Sequence, residues 1–170
     1  MAGPQATFLQ AFCEAFDKAF GPAEWETSRQ RTVGEFCARC RNKKYRRSSM
    51  LRANEAFELG DLRARWRDSV VVVEYDREGV DTHNLVKYWP YLRGDLAVVP
   101  PTRLLLCYFS DWRSWGSSRD LWAWVYQRIR DDSACKGRLM AEHFDHGKDS
   151  EEMRTTGIGE ALGFLRGHLW

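Results

Sequence analysis

Long apolar runs are missing from this sequence. The run at residues 70–73 is four valines, and no run approaches the roughly 18 apolar residues of a membrane span. A membrane protein is therefore not expected. Near the N-terminus Glu14, Asp17 and Lys18 interrupt the apolar residues, so no signal-peptide core forms and no secretory leader is expected. Histidine is scarce, with four in 170 residues, and no Ser/His/Asp or Cys/His triad is legible from spacing. There is no Walker phosphate loop and no dinucleotide-binding glycine pattern. Cysteine is sparse, odd in number at five, and, one close pair aside, widely spaced, which points to reduced thiols and a cytoplasmic location. Cys37 and Cys40 form a lone CxxC. Without a second pair or a nearby His pair, two small thiols packing on one helix face is a simpler account than zinc. No repeat and no low-complexity linker divides the chain, so one domain over 1–170 is expected.

What is present is aromatic and unevenly charged. Eight Trp, nine Phe and six Tyr need burial or a binding partner, which argues against disorder. The net charge is only +2. Yet residues 39–52 hold Arg39, Arg41, Lys43, Lys44, Arg46, Arg47 and Arg52 with no acid among them. Such a stripe binds phosphate or an acidic partner, or is a solvated face. The run alone leaves both readings open.

Periodicity supplies the elements. Phe8, Phe12, Phe16 and Phe20 recur every fourth residue, which places four rings on one face of a helix over 6–20, ended by Gly21-Pro22. A second helix is expected over 28–42. Residues 56–65 and 70–76 read as a strand pair joined by a turn at 67–69, the second strand β-branched and apolar as a central strand should be. Asp81 or Thr82 can cap a helix that starts near His83, with Pro90 disturbing its later part. A third strand follows at 103–109. Ser117 or Ser118 caps a helix to about Asp131, with Leu121, Trp122, Val125 and Ile129 inward. An edge strand at 138–144 and a last helix from 150 to 169 complete the chain. Gly157, Gly159, Gly163 and Gly167 weaken that helix but permit close packing of Ile158, Leu162 and Leu165. Strands interspersed with helices imply an α/β fold, with a central mixed β-sheet of about four strands flanked by helices.

Asp61, Glu74 and Asp76 are the informative acids. Residues two apart on a strand share a face, so Glu74 and Asp76 project together, and pairing across the hairpin can bring Asp61 beside Glu74. Three close carboxylates in a partly buried position need a proton or a cation. A hard dication such as Mg²⁺ suits oxygen ligands and can activate water against a phosphodiester. The alternative is that Asp61 is a turn or edge acid and that Glu74 and Asp76 only mark the exposed end of a strand.

Leu59-Gly60-Asp61-Leu62, then Val72-Val73-Glu74-Tyr75-Asp76, then His83-Asn84-Leu85-Val86-Lys87-Tyr88, together resemble the PD-(D/E)XK, or restriction-endonuclease-like, nuclease superfamily. The motif resemblance covers roughly residues 56–109. It implies that Asp61 and Glu74 bind Mg²⁺ or Mn²⁺ and that the Tyr75 carbonyl completes the site. One position departs from the pattern, because the family's lysine, two residues after the Glu, falls on Asp76. Asp76 would bind a second metal, or Lys87 would reach in from the following helix as migrated lysines do, or the fold persists without catalysis. Glu35 resembles the acid that many members supply from an early helix. The resemblance implies a metal-dependent endonuclease acting on DNA, with RNA left open, and with the basic run 39–52 neutralising backbone phosphates. Many members dimerise, which makes a homodimer an expectation with no residue assigned to it. A catalytically inactive module of the same fold, binding nucleic acid or a protein, is the alternative, and a small interaction protein is a third.

Two further groups read as structural. His143, Asp145 and His146 suit an exposed strand end better than a metal site. Trp112, Trp115, Trp122 and Trp124, interleaved with Arg113 and Arg119, suit a core or a protein interface, with Trp112 and Trp115 the better candidates for a partner.

Overall fold

The computed structural model describes residues 3–27, 37–38, 57–96, 99–111, 116–147 and 150–170. The four-residue spacing of the N-terminal phenylalanines folds as helix α1 (Pro4–Phe20). Pro4 opens it, where a missing N–H costs nothing. Phe8, Phe12 and Phe16 are buried, and Phe20 packs beside them half-exposed.

Strand β1 (Trp25–Thr27) follows. Two short strands, β2 (Cys37–Ala38) and β3 (Phe57–Glu58), pair antiparallel as a separate sheet. Next come β4 (Leu62–Trp66), β5 (Ser69–Tyr75), α2 (His83–Val86), α3 (Tyr88–Arg93), β6 (Arg103–Ser110), α4 (Gly116–Asp131), β7 (Leu139–Asp145) and α5 (Glu151–Leu169). The main sheet has five strands in the order β1-β4-β5-β6-β7. β4 pairs antiparallel with both β1 and β5, while β5, β6 and β7 are parallel. The chain is thus α/β, with a mixed sheet covered by helices on both faces.

Every residue of β5 is buried, as a central strand covered on both sides requires. Val70 and Val72 face one layer, with Leu85, Tyr88, Leu92, Trp122 and Ile129 of α2, α3 and α4. Val71 and Val73 face the other, with the phenylalanines of α1 and with Ile158, Ala161 and Leu165 of α5. The crossovers from β5 to β6 and from β6 to β7 step in one direction, so a constant handedness puts α2, α3 and α4 on one face. No helix of the described residues is long and apolar enough to cross a membrane.

Several expectations need correction. The sheet has a fifth strand, β1, which at three residues is too short to show a period. The hairpin's first strand does not run continuously from 56, because Gly60 breaks it at φ 93. The helix expected over 28–42 does not hold at Cys37 and Ala38, which lie in β2. The helix expected from His83 is two pieces that meet at Lys87. Pro90 falls in the first turn of α3, where its missing N–H has no helical partner to lose. Leu121 is 51% exposed rather than inward, whereas Trp122, Val125 and Ile129 are buried.

Candidate functional site

The parallel strands end together, and α/β sheets bind ligands at such strand ends. On one face of the sheet, β5 carries Glu74 with Asp76 just beyond it. β6 carries Tyr108 and Ser110 there, and β7 carries His143 opposite Tyr108. Across the hairpin, Gly60 delivers Asp61. Its positive φ suits glycine, and a Cβ there would come within 2.5 Å of the Val72 side chain. The Asp61 N–H then extends the ladder to the Val73 carbonyl at 3.0 Å.

Asp61 lies against the end of β5. One of its oxygens accepts the Tyr75 N–H at 2.8 Å and the other accepts the Gln5 amide of α1 at 2.9 Å. Glu74 is buried, only 3% exposed. Its carboxylate pairs with the Lys87 ammonium at 2.6 Å and accepts the Tyr88 hydroxyl. Burial pushes the Glu74 carboxyl up to about 7; Lys87 pulls against that shift and Asp61 adds to it. Burial also drives the Tyr88 phenol well above its ordinary range, helped by Glu74. Tyr88 is therefore a hydrogen-bond donor at any ordinary pH.

Asp76 belongs to a different set of contacts. It accepts the Tyr108 hydroxyl, the Asp81 N–H at 3.2 Å, and the Asn84 amide at 3.2 and 3.3 Å. The Asn84 carbonyl oxygen accepts Lys87 Nζ at 3.0 Å. Lys87 therefore links the Glu74 side of the site to the Asp76 side.

The expected meeting of three acids around one cation is not what the fold builds. Among the described residues, no group of three or more His, Cys, Asp or Glu is arranged to hold a metal. Asp61 and Glu74 act on one another, while hydroxyl, amide and backbone donors satisfy the Asp76 carboxylate. The physical reason lies past the end of β5. The Asp76 N–H still bonds the Phe109 carbonyl of β6 at 2.8 Å, and Tyr108 from β6 and Asn84 from α2 claim the Asp76 oxygens. Lys87 does reach the site from the segment after β5. Tyr75 supplies its N–H to Asp61, and its ring lies on the opposite face, stacked on His146.

His143 and His146 are buried rather than at an exposed strand end, at 8% and 2% exposure. The Ser110 hydroxyl bonds His143 Nε2 at 2.7 Å. Burial, with Arg119 and then His146, holds the His143 imidazole down at about 4, so it is neutral at pH 7. His146 Nε2 meets the Arg77 carbonyl at 3.2 Å. Glu35, the basic residues Arg39, Arg41, Lys43, Lys44, Arg46, Arg47 and Arg52, and Trp112 and Trp115 lie outside the described residues.

Reading by residue type missed Asn84, Tyr88 and Tyr108. For Asn84 and Lys87 a signal existed: they stand three apart, the spacing of neighbours on a helical turn. Tyr108 carries no such signal, because its partner Asp76 is 32 residues away. No family model, curated protein or solved structure matches this chain.

Proposed function

We propose that this chain is a metal-dependent nuclease that hydrolyses phosphodiester bonds in DNA. The observation that carries the reading is Lys87: its ammonium reaches a buried glutamate at the end of a central strand, with a second acid, Asp61, beside that glutamate. A lysine and two carboxylates gathered at the carboxyl end of β5, with a dication between the acids, suit an anionic ester better than a neutral substrate.

The donor set fits a hard dication such as Mg²⁺ or Mn²⁺. Asp61 and Glu74 offer oxygens only, and one or two carboxylates suffice for an ion that keeps much of its water. Burial leaves Glu74 reluctant to ionise, and a nearby positive charge reverses that reluctance. Asp61 and Glu74 would hold the ion, and Asp76 would not. When bound, the ion would polarise the phosphate and acidify a water. Lys87 would hold a proton at Nζ and direct it at a phosphate oxygen or the attacking water. Tyr88 would keep Glu74 Oε1 in place. The basic run 39–52 would neutralise backbone phosphates whatever their sequence. A cytoplasmic location belongs to the same proposal, on the odd and, one close pair aside, widely spaced cysteines.

A plasmid-nicking assay with Mn²⁺ or Mg²⁺ tests the reading. Glu74→Ala and Lys87→Ala are each expected to lower cleavage by about a hundredfold or more, with DNA binding retained. Equal, negligible cleavage by wild type and both variants would overturn it. One observation favours a non-catalytic DNA-binding module instead: Glu74 is already satisfied by Lys87 and Tyr88. Retained DNA binding beside absent cleavage would select that reading.

A further inference from the structure

We infer that Asn84 and Asp76 form a positioning relay that aims the Lys87 ammonium, so that Asp76 serves the lysine and not a metal. The inference rests on the proposed nuclease reading for its consequence in catalysis, but its geometry stands without it.

The orientation of the Asn84 amide follows from its partners. A primary amide has two N–H donors on one side and a carbonyl acceptor on the other. Both oxygens of Asp76 lie within 3.3 Å of Asn84 Nδ2. Turning the amide over would set its oxygen against the carboxylate and its NH₂ against the Lys87 ammonium. Both contacts would then be repulsive, so one orientation is selected. In that orientation Oδ1 faces Lys87 Nζ at 3.0 Å. Glu74 takes the ammonium from another side at 2.6 Å. Two of three N–H bonds are thereby committed, and the direction of the third is fixed. Among the described residues that third N–H is the one left to meet a phosphate oxygen or a water, with the Tyr88 ring 5.6 Å from the ammonium nitrogen.

The relay is anchored away from the moving parts of the side chains. Asp76 is held by the hydroxyl of Tyr108, which is fully buried on β6 with its ring against Trp122 and His143. The Asp81 N–H donates to that hydroxyl at 2.7 Å and to Asp76 at 3.2 Å. The β6 core, the loop before α2 and the start of α2 therefore converge on one carboxylate. Asn84 is itself tied to that loop, its N–H donating to the Asp81 carbonyl at 3.1 Å. Lys87 joins two short helices with helical backbone angles, φ −60 and ψ −23, which set the direction of its Cα–Cβ bond but not of its ammonium. A four-carbon side chain with free rotation does not hold a direction without such partners.

The test has one arm in metal-free protein and one in cleavage. In the first, ¹H–¹⁵N correlations of the lysine ammonium groups are recorded, since such protons are visible only when hydrogen bonds hold them out of water. The wild type is expected to show a Lys87 signal that Lys87→Arg removes. Asn84→Leu and Asp76→Ala are expected to lose or broaden it, and Asp76→Asn, which keeps an acceptor for Asn84, to retain it. Should Asn84→Leu fold poorly by circular dichroism, Asn84→Asp replaces it. That variant keeps the acceptor for Lys87 but repels Asp76, and is expected to move the signal. A Lys87 signal identical in wild type and every folded Asn84 variant would overturn the relay.

In the second arm, cleavage of plasmid DNA is followed against Mn²⁺ concentration. Asn84→Leu is expected to lower kcat by about tenfold to a hundredfold, the scale of a misaimed group, with half-saturating Mn²⁺ and KM for DNA unchanged. Asp76→Asn is expected to keep most activity at the same half-saturating Mn²⁺. A half-saturating Mn²⁺ raised tenfold or more in Asp76→Asn would make Asp76 a metal ligand and overturn the assignment. If no protein cleaves DNA, the nuclease reading fails while the ammonium signals still decide the relay.

Discussion

Glu74 holds its carboxyl where water barely reaches, 3% exposed, and burial pushes its proton affinity up to about 7 from an ordinary 4.5. The folded chain therefore binds more protons than the unfolded chain between those two values. Stability contributed by this group is complete below about 4.5, falls as pH rises through about 7, and is level above that. Glu74→Gln has no proton to lose. Urea unfolding from pH 4 to 8 is expected to show wild type losing ground against Glu74→Gln by roughly 3 kcal/mol, at about 1.4 kcal/mol per tenfold change in proton affinity. Parallel stability curves would mean that Lys87 compensates the buried charge in full. The sequence made this acid legible, because Glu74 ends an apolar strand where a carboxylate needs an explanation. It did not separate Glu74 from Asp76, since equal placement on a strand face says nothing of which partners arrive from β6 and α2. Asn84, Tyr88 and Tyr108 are ordinary residues in sequence and acquire their roles only from tertiary approach.

At the scale of elements, the four glycines of α5 divide into two kinds. Gly157 lies where the helix touches the end of β7: a Cβ there would stand 2.0 Å from the Asp145 carbonyl oxygen. Gly159, Gly163 and Gly167 have nothing within 4 Å of such a Cβ. The sequence treats the four alike, and only the first permits the close packing that glycine in a helix suggests. Thermal melts separate the two kinds. Gly157→Ala is expected to destabilise by about 1–3 kcal/mol, because backbone must move to admit the methyl group. Gly163→Ala, at an open helical position, is expected to stabilise by about 0.5–1 kcal/mol. Equal effects of one sign would contradict this placement of α5 on β7. Elements with a long period, α1 and β5 above all, were legible because burial on a fixed face imposes the period. β1 was not, since three residues hold no period. The junction at Lys87 was marked only by Pro90, three residues beyond it. The proline signalled a disturbance but not that a lysine would sit at the break and point into the site.

At the scale of the whole molecule, the sheet separates two cores, and its strand ends gather the titratable site on one face. A net charge of +2 over 170 residues gives little long-range attraction to a polyanion, so any affinity for DNA must come from local asymmetry. The seven basic residues between 39 and 52 are the strongest asymmetry in the sequence. Each phosphate that they neutralise releases counterions and contributes about −0.9 to the slope of log affinity against log salt. If all seven engage, that slope is near −6. Replacing Arg41, Lys43, Lys44 and Arg46 by serine removes four contacts and is expected to flatten it by roughly 3.6. Fluorescence anisotropy of a labelled duplex between about 50 and 200 mM salt, a range over which such contacts change affinity by orders of magnitude, measures both slopes. A slope unchanged by the four substitutions would assign the run to a solvated face. The phosphate-binding surface would then be sought outside that run, and the same titration repeated on Lys87→Ala would show whether the site itself contributes a phosphate contact.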